Sequence, residues 1–121
     1  GIMAGTMTGI MAGIMAGKRT GELIPLCHVL PAVSLTVELE ADPELPGVRC
    51  RAMARIAGKT GVEMEALTAA GVALLTVYDM VKSLDRGMTI EGVELLRKAG
   101  GRSGTWTAEG SGGESGDAAE T

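Results

Sequence analysis

Residues 59–82 read KTGVEMEALTAAGVALLTVYDMVK. Ala, Val and Leu recur at helical spacing, with no Gly-Pro break, so the stretch predicts the main core helix, over about residues 62 to 84. Two glutamates, Glu63 and Glu65, open it, and Asp79 and Lys82 close it. Thr60 and Glu63 have the S/T-x-x-E spacing of a capping box, which gives Glu63 a structural reading. Glu65 lies two residues on, on another face. Asp79 and Lys82 are three apart, so they share a face as a potential ion pair. The apolar turns before them predict partial burial, which shifts pKa values and suits an acid/base pair.

Upstream of this helix, VSLTVELE (33–40) alternates Val33, Leu35, Val37 and Leu39 against Ser34, Thr36, Glu38 and Glu40. VRCRAMARIAG (48–58) alternates again, and ADPELPG between them is turn-forming. The pair predicts an antiparallel hairpin with one buried face. Downstream, DRGM turns the chain into MTIEGVELLRKAG, a last strand broken near Gly92. Between the first helix and the hairpin, LIPLCHVLP is framed by Pro25 and Pro31 and reads as an apolar loop holding the single histidine, His28.

The chain starts with the word GIMAG, at residues 1–5, 9–13 and 13–17. Ile10, Met11, Ile14 and Met15 recur at four-residue spacing and predict an apolar helical face. Gly9, Gly13 and Gly17 share that spacing, as in close-packed helix pairs. The run reaches Lys18 and Arg19 before it is long enough to cross a membrane. Each interior glycine costs about 1 kcal/mol against alanine, so such a helix needs packing to hold it. The order helix, strand, strand, helix, strand predicts an α+β fold, with helices covering an antiparallel sheet. Helices apolar nearly all round predict an oligomer.

Composition narrows the function. The 121 residues suit one domain. Apolar residues make up 45%, yet only 2% are aromatic and Phe is absent, so the core is aliphatic and methionine-rich. Most of the net charge of −4 falls in GRSGTWTAEGSGGESGDAAET, a Gly/Ser/acidic stretch expected to be flexible, with the folded domain covering residues 1–104 and the tail 105–121. The lack of a basic stripe and of stacking aromatics argues against nucleic acid as a partner. Cys27, Cys50 and His28 have no metal-site spacing, so no metal is expected. GKT at 58–60 fails as a phosphate loop, because the upstream glycine position is Met53. No signal-peptide pattern is visible, which predicts a cytoplasmic protein without a membrane partner. Lys18, Arg19, Lys59, Lys98 and Arg102 fall at element ends and suit a polyphosphate if they converge.

KRTGELIPLCH (18–28), GKTGVEMEALTAAGVALLTVYDMVK (58–82) and LLRKAGGRSG (95–104) occur in this order. Together they resemble the cyclic pyranopterin monophosphate synthase family, the C protein of molybdenum cofactor biosynthesis, over about residues 10 to 104. The resemblance implies a ferredoxin-like fold and a homohexamer built as a trimer of dimers, with sites at subunit interfaces. It implies conversion of 3',8-cyclo-7,8-dihydroguanosine triphosphate to cyclic pyranopterin monophosphate and pyrophosphate, with no cofactor. It maps Leu26, Cys27, His28, Glu63, Met64 and Glu65 to substrate binding, Lys18 and Lys98 to the triphosphate, and Asp79 and Lys82 to acid/base catalysis. Sixteen residues separate Glu63 from Asp79, roughly 24 Å at 1.5 Å per residue, so one helix cannot present both ends to one small substrate. Two neighbouring copies can. The chain departs from the family twice. The lysine of the family's KGD segment falls at Ile2, and LCHVL lacks the proline that commonly follows the histidine. The first departure gives an alternative expectation, a catalytically silent binding or assembly homologue.

Overall fold

The computed structural model describes residues 2–25, 33–56, 62–98, 106–107 and 118–120. The elements run α1 (Ile2–Lys18), α2 (Thr20–Leu23), β1 (Ser34–Asp42), β2 (Gly47–Arg55), α3 (Glu63–Val81), β3 (Glu94–Lys98), β4 (Trp106–Thr107) and β5 (Ala118–Glu120). The fold is α+β, as expected.

The hairpin forms in the register that its alternation demands. Val37 pairs with Ala52, Leu39 with Cys50 and Leu35 with Ala54, all on the face turned to the helices. Glu38 lies opposite Arg51 and Glu40 opposite Arg49 on the other face, so unlike charges meet across the strands. At the hairpin's end the Arg49 guanidinium donates to the Asp42 carboxylate. That bond, with a backbone hydrogen bond from Glu44, holds the Asp42 carboxyl below its ordinary pKa.

α1 and α3 run antiparallel on one face of the sheet, and the glycine stripe is their contact surface. A Cβ on Gly9 would lie 3.0 Å from the Ala73 carbonyl oxygen, and one on Gly13 would lie 2.7 Å from that of Ala69. A Cβ on Gly17 would meet Leu35 at 2.6 Å and the Glu65 carbonyl oxygen at 3.1 Å. Alanines answer the glycines across the seam: Ala66, Ala69, Ala70 and Ala73 are fully buried. The two backbones therefore approach more closely than any larger side chain permits. Ile10 and Ile14 flank the seam half-buried, whereas Met11 and Met15, expected on the same apolar face, are exposed. Absence of side chains, rather than apolar character, selects the packed face of α1.

α3 is long and apolar enough to cross a membrane by length and composition, but Ala66, Ala69, Ala70, Ala73, Leu74, Val77 and Val81 are buried, which makes it the core helix here. Its start differs from the capping-box expectation. The helix begins at Glu63 with Val62 as N-cap, and Val62 has no side-chain oxygen to offer. Val62 is instead buried in the core, and its carbonyl accepts the Ala66 N–H at 3.2 Å. Thr60 lies outside the described residues. Glu63 and Glu65 thus fall in the first turn, where negative charge complements the helix dipole.

The sheet is mixed rather than antiparallel throughout, with order β1-β2-β5-β3-β4. β5 is parallel to both β2 and β3, and β3 is antiparallel to β4. Two short strands, β4 and β5, thus come from the stretch 105–121 read as a flexible tail. The physical reason is that β2 and β3 each present an edge of unpaired backbone groups, which an added strand satisfies. Gly92, at φ 68°, takes a conformation that side chains rarely adopt, and β3 starts only beyond it, at Glu94. Residues 88–91 are therefore not strand, contrary to expectation.

Candidate functional site

The polar groups singled out in the sequence collect at the two ends of α3. At its start Glu65 is buried, 3% exposed, and its Oε1 has no hydrogen-bond partner among the described residues. Burial pushes its carboxyl pKa up, and the neighbouring Glu63 charge adds to the rise, against a lowering backbone hydrogen bond. Such a group retains a proton at higher pH than ordinary glutamate and can donate a hydrogen bond that a carboxylate cannot. Met64 and Glu63, beside it, are half-buried.

The end of α1 lies against this turn. Thr20, buried after the exposed Lys18 and Arg19, donates from its hydroxyl to the Gly17 carbonyl at 2.7 Å. Gly17 in turn touches the Glu65 backbone. Thr20 was not among the expected site residues. Its signal is the threonine three residues after a packed glycine, a spacing that returns a hydroxyl to the helix's last carbonyls. Leu26, Cys27 and His28 lie outside the described residues. Lys98 falls in β3, and its side chain is not described.

At the other end, Lys82 Nζ donates to Asp79 Oδ1 at 2.9 Å. The ion pair expected from spacing is present, but the expected partial burial is not: the side chains are 59% and 71% exposed, respectively. Val77 and Val81 turn inward over the last turns and leave Asp79 and Lys82 on the outer face. The Lys82 pKa accordingly moves up, not toward neutrality, because the hydrogen bond to Asp79 and then its charge favour the ammonium. Leu75, exposed one turn before Asp79, shares this outer face.

Within one chain the two clusters therefore stay apart. A cavity of about 610 Å³ opens between the hairpin turn, the second half of α3 and residues 85–92. Arg49, Tyr78, Asp85 and Glu91 line it, and none of the expected site residues does. Among the described residues, no three His, Cys, Asp or Glu side chains converge as a metal site would require.

Fold and site together define a small α+β protein with a buried glutamate at one tip of its core helix and an exposed Asp–Lys pair at the other. Residues 5–101 match the MoaC family model, and the chain belongs to that family. It is 63% identical over 92 residues to the cyclic pyranopterin monophosphate synthase of Methylobacterium nodulans, an alignment covering 76% of this chain and 58% of that protein. It is 58% identical over 89 residues to the synthase of Brucella ovis, covering 74% and 54%, and 58% identical over 91 residues to that of Cereibacter sphaeroides, covering 75% and 57%. The chain thus spans somewhat more than half the length of these relatives.

Proposed function

We propose that this chain forms the helix–sheet body of a cyclic pyranopterin monophosphate synthase, a lyase of molybdenum cofactor biosynthesis acting in the cytoplasm. Its substrate is the cyclic dihydroguanosine triphosphate, and its products are cyclic pyranopterin monophosphate and pyrophosphate. Residues 1–104 make one synthase-like domain with a ferredoxin-like plan, to whose sheet β4 and β5 of the following stretch add. The working unit is a homohexamer, a trimer of dimers, in which the start of α3 in one copy faces the end of α3 in its neighbour.

One observation carries this reading: a buried Glu65 carboxyl with an unpartnered Oε1, and an exposed Asp79–Lys82 pair, at opposite tips of the same helix. A neighbour covering Leu75 would also desolvate Asp79 and Lys82, supplying the burial that a single chain lacks. Lys82 then protonates or polarises the reacting centre, and Asp79 orients or relays the proton. Leu26, Cys27, His28, Glu63, Met64 and Glu65 hold the ring system. Lys18 and Lys98 offset the charge of the triphosphate and of the departing pyrophosphate.

The test is pyrophosphate release from the cyclic triphosphate precursor. The chain is expected to release it, and Lys82→Ala is expected to lose turnover by about a hundredfold or more while its sedimentation is unchanged. Normal turnover by Lys82→Ala removes Lys82 from the chemistry, and no release by the unaltered chain removes the activity itself.

A further inference from the structure

α1 repeats a four-residue pattern, and each position of the repeat has its own surroundings. Gly5, Gly9, Gly13 and Gly17 are buried against α3 and β1. Thr6, Ile10 and Ile14 are half-buried at the border. Met3, Met7, Met11 and Met15 form the outermost row, between 53% and 78% exposed. Ala4, Thr8, Ala12 and Ala16 follow them, all small, so no bulky neighbour crowds the thioethers. Four methionines therefore line one outer face of the helix and contribute nothing to the core of the chain.

Helix geometry decides what they can do together. Successive members are about 6 Å apart along the axis and rotated by about 40° from one another. Their Cβ atoms are then roughly 6–6.5 Å apart, close enough for two flexible thioether arms to bring their sulfurs onto one ion. Over the whole row the rotation reaches about 120°, so Met3 and Met15 cannot share an ion. Every workable set of two or three neighbours contains Met7 or Met11, the central pair.

We propose that this face binds a soft monovalent cation, Cu(I), through two or three methionine sulfurs. Thioethers are neutral and polarisable, and they select Cu(I) over the hard or borderline divalent ions, which call for carboxylate, imidazole or thiolate ligands. No carboxylate lies within α1 to recruit a divalent ion instead. Lys18 and Arg19, the only cations in or just after α1, stand beyond the last methionine, farthest from Met3 and Met7. The face points away from the seam that carries Gly17 and Glu65, so this site is separate from the Glu65 cluster.

The experiment uses the full chain with methionine methyl groups labelled with carbon-13. Ag(I) serves as a redox-inert probe, and Cu(I) is offered as its bicinchoninate complex. Addition of Ag(I) is expected to move the methyl signals of Met3, Met7, Met11 and Met15. Met53, Met64 and Met88, none of them on α1, serve as internal controls and stay in place. A Met7→Leu/Met11→Leu variant is expected to withdraw Cu(I) about tenfold or more weakly, with its helix content preserved. The proposal fails if the α1 methyls do not move. That includes uptake by the Cys27 and Cys50 thiols instead, and a partner copy shielding the row. It fails equally if the folded double variant competes for Cu(I) as well as the unaltered chain. Should that variant misfold, the methyl shifts of the unaltered chain decide alone.

Discussion

Glu65 is the residue where burial and chemistry meet. An apolar side chain would fill the first turn of α3 at lower cost, since a buried ionisable group loses its hydration and here gains no described partner at Oε1. The rise in its pKa fixes the sign of its effect on stability. A carboxyl whose folded pKa lies above its ordinary value of 4.5 leaves the folded state holding the proton longer than the unfolded one. Stability therefore falls as pH rises from about 4.5 to the raised value, with a slope of at most about 1.4 kcal/mol per pH unit for one group. Glu65→Gln, which cannot ionise, is expected to flatten this part of the profile, so the variant gains on the unaltered chain as the medium becomes less acidic. Urea unfolding midpoints across pH 4 to 8 measure it. Parallel profiles for the two proteins would show that the carboxyl is already satisfied in solution.

At the scale of elements the α1–α3 seam sets the architecture, and two glycines only a few residues from the same alanines test it in opposite directions. Gly13→Ala forces a Cβ to 2.7 Å from the Ala69 carbonyl oxygen and 3.0 Å from the Ala73 Cβ, a backbone clash that no rotamer relieves. It is expected to destabilise the fold by about 1–3 kcal/mol. Gly71→Ala, on α3 with nothing within 4 Å of its new Cβ, is expected to stabilise by about 0.5–1 kcal/mol through helix propensity. Thermal or chemical denaturation separates the two, and equal effects would mean that the seam is looser than its distances. The same seam shows how far the sequence could be read. Period-two alternation specified β1 and β2 to within three residues, because each strand has one buried and one wet face. Glycine spacing pointed to close packing, but hydrophobicity misassigned Met11 and Met15. Pattern reading rewards apolar side chains, whereas the contact is made by their absence. The start of α3 was legible to within one residue, but its cap was not: Thr60 has the right type and spacing, yet the N-cap is Val62, which is drawn into the core.

At the scale of the whole molecule the two site clusters pose a problem of distance. Their residues were legible as words, EME and YDMVK, but the partial burial expected of Asp79 and Lys82 was not realised, because burial depends on what covers a helix and not on its own sequence. With roughly 24 Å between helix tips, a single copy cannot bring Glu65 and Lys82 to one substrate, and longer side chains do not close that gap. A two-fold pairing of α3 helices does, and it gives each dimer two composite sites, each taking one tip from either copy. Two variants, Glu65→Ala and Lys82→Ala, should each be inactive alone for different reasons. When subunits are exchanged at equal amounts, half of the dimers contain one of each kind. Every such dimer has one site carrying both lesions and one carrying neither, so about a quarter of the normal pyrophosphate release is expected to return. Recovery on mixing requires that Glu65 and Lys82 act from different subunits. If mixed assemblies form, as followed by mass of a tagged partner, and release stays at zero, the two tips do not serve a shared pocket.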